Sequence, residues 1–310
     1  MLPNYVLQET KGIKKSFDNG VSQDILKFMD LPIFSVKTSD EWTEIHTSTE
    51  GFSGTRVTGR RETPDVNALG DGFSVSHTPE RYTNAFSIDS TDMEKFKDST
   101  TKVKEYLTRQ RNAMLLDIKY TMMTSMYAML NDAVAGATFV CPDTVALLGT
   151  HTWNTTGADG FTNKTTSKLN LAAIDAMVLA GSYLTGGDGK QMPQSYDTII
   201  VAKGSDNAIE AKKLFAQNIV ATQYLDTNIY EGGMYKIIET PMISYANRDF
   251  WFAMDTSKGE SPLAMSINKA PTLAEPILEK NLSVFQAVEG FWKRGIINQP
   301  FSIYGGDGTA

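Results

Sequence analysis

The stretch from Asp92 to Val134 constrains this chain more than any other. Phe96, Thr100, Val103, Leu107, Met114, Ile118, Met122, Met126 and Met129 recur at spacings of three, four or seven, which is one apolar stripe of helical period. Lys95, Lys97, Asp98, Lys102, Lys104, Glu105, Arg109, Arg111, Asp117 and Lys119 fall on the other faces, and no glycine or proline interrupts the run before Gly136. The spacing predicts a single helix of roughly 40 residues, about 60 Å at the α-helical rise. Ser90 or Thr91 is placed to cap its start, Asp92 and Glu94 suit the positive end of the helix dipole, and Gly136 and Pro142 mark its stop. In a coiled coil or bundle such a helix has a partner, yet the chain offers no second long periodic stretch. A long helix packed along one face against a largely β chain points to an elongated subunit with a spine.

The chain has 310 residues, 41% apolar and 21% charged, so it is globular and long enough for one large or two ordinary domains. A net charge of −7 argues against a sequence-independent nucleic-acid coat. With one cysteine, Cys141, no disulfide forms within the chain. Met1 to Lys15 lacks the apolar core of a signal peptide, and the most apolar long run, Met114 to Leu130, carries Asp117 and Lys119, which argues against a membrane span.

Residues 1 to 21 show no clear period. Ser22 to Met29 fits a short amphipathic helix anchored by Ile25, Leu26 and Phe28, and the whole start reads as an arm lying on its own chain or a neighbour, or as a fraying terminus. Phe34 to Ile45 alternates weakly. Residues 48 to 88 read as a two-stranded β-excursion, with strands near Thr47 to Arg61, Phe73 to His77 and Tyr82 to Ile88 and a loop from Pro64 to Gly72. Such a hairpin is marginal alone, so it rests on a neighbouring subunit or folds onto its own domain. Beyond the spine, Ala137 to Asn163 is loop-rich. A helix is expected from Leu169 to Leu184 with Asn170 as cap, a buried strand at Asp197 to Ala202, a helix at Asp206 to Phe215, and strands at Lys236 to Glu239 and Phe250 to Met254. Three closing strands come last, Leu282 to Lys293, Gly295 to Gln299 and Phe301 to Tyr304, with a loose tail from Gly305.

This order of parts resembles the major capsid proteins of tailed double-stranded DNA phages, the Hong Kong 97 type. Tyr82 to Asp89 leading into the spine is similar to that family's exit from its E-loop. Leu147 through His151-Thr152-Trp153-Asn154 to Leu169 resembles the Mu-like head-subunit branch. Asp197 to Val201 before a helix, then Gly232-Gly233 and Tyr235 to Pro241, resembles the A-domain order. The resemblance implies an α+β fold with an N-terminal arm (1–45), an extended β-hairpin or E-loop (46–90), a P-domain (91–164) whose spine spans 92–134, an A-domain (165–265), and closing P-domain strands with a C-terminal tail (266–310). It implies a structural protein rather than an enzyme, without cofactor or metal, which self-assembles as a homo-oligomer of pentamers and hexamers into an icosahedral head. The head encloses double-stranded DNA without sequence-specific binding, is assembled in a bacterial host cytoplasm away from membranes, and works with scaffold, portal and head-completion proteins. The alternatives are an encapsulin-like shell around an enzyme cargo and a soluble α/β hydrolytic enzyme. Two departures stand out. Some family members cross-link subunits through an E-loop lysine, and this chain has no lysine between Lys37 and Lys95. Some carry a long N-terminal scaffolding segment, for which the arm leaves no room.

Motifs for chemistry are weak. His46, His77 and His151 stand at no ligand spacing from each other or from Cys141, whose surroundings in sequence hold no basic residue, so a small buried thiol is expected. Thr185 to Gln191 glances at a phosphate loop but has Leu184 and Gln191 where a Walker loop needs Gly and Ser or Thr, which leaves a plain turn. The informative charge is in the excursion: Arg56, Arg60, Arg61 and Arg81, in a stretch without lysine. Arginine suits bidentate pairing at interfaces. The expected partners are Asp89, Asp92, Glu94, Asp98 and Glu105 of an adjacent subunit, at the start of the spine; a solvated surface hairpin is the plainer alternative.

Overall fold

The computed structural model describes residues 9–11, 14, 16–19, 21, 33–49, 71–95, 100–153, 160–187, 189–216, 235–257, 261–279 and 283–309. In chain order the elements are β1 (Ser35–Thr38), β2 (Glu44–Thr49), β3 (Asp71–His77), β4 (Glu80–Ile88), α1 (Ser90–Lys95), α2 (Thr100–Asn131), β5 (Thr150–Thr152), β6 (Gly160–Thr162), β7 (Lys164–Thr165), α3 (Leu171–Ser182), β8 (Thr198–Ala202), α4 (Asp206–Ala216), β9 (Lys236–Thr240), β10 (Trp251–Met254), β11 (Leu263–Leu273), β12 (Ile277–Leu278), β13 (Val284–Ile296) and β14 (Ile303–Gly306). They form two compact units, one from 1–44, 77–126 and 265–294, the other from 45–76, 127–264 and 295–310.

The spine stretch is helical where it is described. α2 alone has 32 residues, about 48 Å at the helical rise. Val103, Leu107, Met114, Ile118, Met122, Met126 and Met129 are all buried, as their spacing requires. Phe96 and Asp98 lie outside the described residues. Two boundary expectations are corrected. The start is capped by Asp89, whose carboxylate accepts from the Asp92 N–H at 2.9 Å, so Ser90 and Thr91 are already helical. The helix ends at Asn131 because the Asp132 carboxylate draws off the N–H groups of Ala137, Thr138 and Phe139, at 3.0, 2.6 and 2.7 Å. Gly136 turns the chain with φ of +56°, and its missing side chain leaves room for Ala146.

In the first unit the sheet runs β1-β11-β13-β12, and β4 also pairs with β13, from Val284 opposite Ile88 to Trp292 opposite Glu80. This corrects the expected excursion: Tyr82 to Ile88 belongs to the five-stranded sheet, and the separate two-stranded piece is β2 with β3. The anchors are a parallel stack of Tyr82 on Trp292, with centroids 3.7 Å apart, and buried Ile88. α2 lies on this sheet, since Asp117 accepts from Asn84 at 2.7 Å and Ile118 and Thr121 line a small cavity of about 70 Å³ with Tyr82, Val288 and Trp292. The arm lies on its own chain where it is described. Phe17 is fully buried, Lys14 pairs with Glu275 at 2.7 Å, and Arg111 bonds the Ser16 hydroxyl. The helix expected over Ser22 to Met29 lies outside the described residues.

In the second unit the sheet runs β7-β14-β10-β8-β9. β8 is buried at every position, and it pairs in parallel with β9 and antiparallel with β10. α3 and α4 pack on it through Ala173, Ile174, Met177, Ala208, Ala211 and Leu214, against Ile199, Val201, Trp251 and Ala253. Asn170 caps α3 as expected, accepting from the Ala173 N–H at 2.8 Å. Two closing expectations fail. β13 is one strand through Gly295, and the tail is not loose: Gly305 and Gly306 pair with Phe252 and Trp251, and Asp307 is buried against Lys164 at 2.8 Å. A side chain at Gly306 would meet the Trp251 ring nitrogen at 2.3 Å, so only glycine fits there. Among the described residues no helix is long and apolar enough to cross a membrane.

Candidate assembly surfaces

The root of the excursion is clamped by buried charge. Ser266 and Asn268 share a face of β11, and Phe291 and Lys293 share one of β13. The segment leading into β2 is fastened to both. The Lys293 ammonium, 1% exposed, donates to the Glu41 carbonyl at 2.6 Å and pairs with Glu44 at 3.2 Å. Ser266 donates to Glu44 at 2.9 Å, and the Asn268 amide donates to the carbonyls of Ser39 and Glu41 at 3.1 and 2.6 Å. Trp42 packs on Phe291 with centroids 5.8 Å apart. Burial opposes ionisation of Glu44, but the hydrogen bonds from Ser39, Ser266 and Lys293 and the lysine's charge outweigh it and bring its carboxyl down to about 2. Sequence patterning gives no sign of this group, because its members are far apart in the chain and none belongs to a motif.

Of the expected contact residues, Arg81, Asp89, Asp92 and Glu105 are described with their side chains. Arg56, Arg60, Arg61 and Asp98 lie outside the described residues, as does the Glu94 side chain. Arg81 finds its carboxylate within the chain, on Glu289 at 2.6 Å, and Lys269 holds the other oxygen of Glu289 at 2.8 Å. Asp89 is occupied as a helix cap, and its hydrogen bond from Asp92 holds its carboxyl below the usual range. Asp92 pairs with Lys95 at 2.8 Å. Glu105 is exposed on α2.

Among the exposed apolar side chains are two pairs at helical spacing that lie off the buried stripe. Leu116 and Tyr120 stand one turn apart on the outer face of α2, 68% and 59% exposed. Leu179 and Tyr183 do the same at the end of α3, at 61% and 68%. Their i, i+4 spacing was the available signal in the sequence. A crevice of about 550 Å³ opens at the carboxyl ends of β8 and β9, where α4 begins. Ser205 caps α4 there, accepting from the Ala208 N–H at 3.1 Å, and Arg248 lies over the exposed Tyr245 ring at 4.4 Å. Lys203, Asp206 and Asp249 add both signs of charge, and its lining residues include no histidine or cysteine.

The structure does bring Cys141, Asp143 and His151 together, with ligand atoms within 4.8 Å of one another, which their spacing did not suggest. The donor set would suit a soft divalent ion, but these groups are already committed to the protein. His151 Nδ1 meets Asp143 at 3.0 Å and Nε2 meets the Leu147 carbonyl at 3.3 Å, while Asp143 also accepts from the N–H groups of Val145 and Thr152. Burial, reinforced by the charge of Asp143, pushes the Cys141 thiol above its ordinary value, so it is a poor nucleophile. The cluster is a polar clasp on the loops beyond α2. The Thr185 to Gln191 stretch is the expected turn, with Gly186 accepting from Gly189 at 2.9 Å and donating to Lys190 at 2.8 Å.

No family model and no curated protein matches the chain. Solved structures do. A chain of Mycobacterium phage Patience is similar over 95% of this chain and 86% of its own, with a TM-score of 0.55 at 8% identity. The capsid structure of the cyanophage P-SCSP1u matches over 88% and 85%, with a TM-score of 0.50 at 11% identity. The asymmetric unit of the bacteriophage PhiM1 mature capsid matches over 88% and 83%, again at 0.50, with 10% identity. The fold is thus the α+β capsid fold of the Hong Kong 97 type.

Proposed function

We propose that this chain is the major capsid subunit of a tailed phage or prophage, self-associating into pentamers and hexamers that close into an icosahedral head around double-stranded DNA. The observation that carries the reading is the extent of the likeness, which runs through nearly the whole chain and nearly the whole of a phage chain rather than one lobe. Its place is the virion, after assembly in the host cytoplasm with scaffold, portal and head-completion proteins, and the Mu-like branch is the reading of its local stretches. Each contact between copies can be weak, because closure of many symmetric copies supplies avidity. The exposed pairs Leu116/Tyr120 and Leu179/Tyr183 supply apolar contact area. With Arg81, Asp89 and Asp92 occupied inside the chain, Arg56, Arg60 and Arg61 are left as the excursion's donors to Glu94, Asp98 and Glu105 of the next copy.

The test is size-exclusion chromatography with negative-stain electron microscopy of the expressed protein, repeated with the neighbouring gene products. Closed shells, tubes or rings of five or six are expected. A compact monomer that stays single with its neighbours present would move the reading to a soluble α/β hydrolytic enzyme. Shells protecting an enzyme instead of nuclease-resistant DNA would make it an encapsulin-like compartment. Arg60→Ala with Arg61→Ala should block assembly or lower shell stability in heating or denaturant; unchanged shells would remove the arginines from the interface.

A further inference from the structure

The clasp beyond α2 is closed through atoms that can also hold an ion. Cys141, Asp143 and His151 each offer one donor atom, and the three atoms lie within 4.8 Å of one another. The turn that carries the first two is tight. The Cys141 N–H donates to the Val145 carbonyl at 2.8 Å, the Thr144 N–H donates to the Cys141 carbonyl at 2.8 Å, and Thr144 holds a φ of +66°. His151 presents Nδ1 to the Asp143 carboxylate at 3.0 Å and Nε2 to the Leu147 carbonyl at 3.3 Å. Both of those oxygens are acceptors, whereas a neutral imidazole has one N–H to give. A metal ion on Nδ1 removes the conflict, because the Nε2 proton then serves Leu147 alone. The remaining contacts are of the kind that surrounds a bound ion. A ligating histidine gives its other N–H to a carbonyl, and a ligating carboxylate is itself hydrogen-bonded. Here the Leu147 carbonyl fills the first role, and the N–H groups of Val145 and Thr152, each at 3.2 Å from Asp143, fill the second.

We propose that Cys141, Asp143 and His151 form a zinc site, with Cys141 Sγ, one Asp143 oxygen and His151 Nδ1 as ligands. The mutual hydrogen bond of the ion-free clasp gives way to a shared metal, while the outward bonds to Leu147, Val145 and Thr152 stay. One thiolate and one carboxylate balance a divalent charge, so the loaded site is neutral and costs far less to bury than an unbalanced ion. Mixed sulfur, nitrogen and oxygen donors favour zinc over hard cations such as magnesium or calcium. Bonds of about 2.0–2.3 Å put tetrahedral donors roughly 3.5 Å apart, so the cluster contracts by about 1 Å where it is widest. The thiol proton is displaced as the sulfur–metal bond forms. Three protein donors leave one position for a water. With Cys141 and His151 at 1% and 0% exposure, the ion is taken up as the loops close during folding. It then ties the Cys141 turn directly to β5. All three donors belong to one chain, so loading is independent of shell assembly.

The experiment is metal analysis of the full chain, produced without a histidine tag in medium supplemented with zinc chloride or, separately, with cobalt chloride. Zinc at about one ion per chain, retained through dialysis, is expected. The cobalt-loaded chain should show the thiolate-to-metal absorption that only a sulfur ligand gives, and Cys141 is the chain's single cysteine. Cys141→Ser keeps the shape of the side chain and should lower the metal content at least about tenfold and abolish that absorption. His46→Gln with His77→Gln, which leaves the three donors in place, should change neither reading. A zinc-free chain from supplemented medium would overturn the assignment. So would zinc that survives Cys141→Ser, cobalt bound without the thiolate absorption, or an ion lost on replacing His46 and His77. The wild-type metal content and cobalt spectrum decide the matter even where a variant fails to fold.

Discussion

In the sheet built on β8 and β10 the buried side chains are mostly apolar, among them Ile199, Ile200, Val201, Trp251 and Phe252; in the sheet built on β11 and β13 they include Ser266, Gln286 and Lys293, with Glu44 against them. The first sheet is held chiefly by apolar area. The second is held by groups that are costly to bury unless each finds its partner. Those partners are remote: Glu44 and Ser266 are 222 positions apart, Lys293 and Glu41 252. An apolar core tolerates rearrangement, whereas a buried ion pair fixes one arrangement. The second kind stands where the chain passes from β1 into β2.

The comparison is broken most directly by removing one side chain from each sheet. Phe252→Ala empties a fully buried site and should cost about 3–5 kcal/mol. Lys293→Ala leaves Glu44 buried without its cation and should cost about as much, roughly 3–5 kcal/mol. Denaturant unfolding of the single subunit measures both. The two sheets separate on the rescue. Lys293→Met with Glu44→Leu removes both charges and should recover most of the loss, while no apolar second change restores the space left by Phe252. A double variant as unstable as the single one would mean that the charges hold the root through contacts other than each other.

Acid sharpens the same contrast. Glu44 has a folded value of about 2 against an ordinary 4.5. Its contribution is present above about pH 4.5 and is lost as the pH falls toward 2, about 3 kcal/mol in all. Unfolding measured between those limits should show this loss, and Glu44→Gln should remove most of it. Asp143 is shifted the same way, by the His151 hydrogen bond and charge against the cost of burial. It adds a smaller acid loss in the second unit.

Legibility from sequence divides along the same line. α3, β8, α4, β9 and β10 are all anticipated, because continuous apolar runs and a capping asparagine announce them locally. β11 is not. Leu263 to Ile267 is buried without alternation, and Pro271 interrupts the second half of the strand, so neither period appears. β4 looks like part of the excursion because its alternation is real, but its partner, β13, lies some two hundred residues away. The tail looks loose because glycines resemble a linker until Trp251 is seen to need them. Of the expected contact residues, Arg81 and Asp89 have partners within the chain, Glu289 and the Asp92 N–H, and charge pattern alone does not reveal them.

The smallest effect on the subunit is expected at the surface pair of α3. Leu179 and Tyr183 are mostly exposed, so Leu179→Ser with Tyr183→Ser should change unfolding by no more than about 0.5 kcal/mol. Under the proposed function the same change should act on association instead. A contact repeated around a ring multiplies a small loss per copy, so assembly midpoints should shift far more than subunit stability does. Light scattering of assembling protein, set beside unfolding of the same samples, reads the two quantities separately. Equal shifts in both would place the pair in the fold of one subunit, and no shift in either would leave this face of α3 as plain solvent-exposed surface.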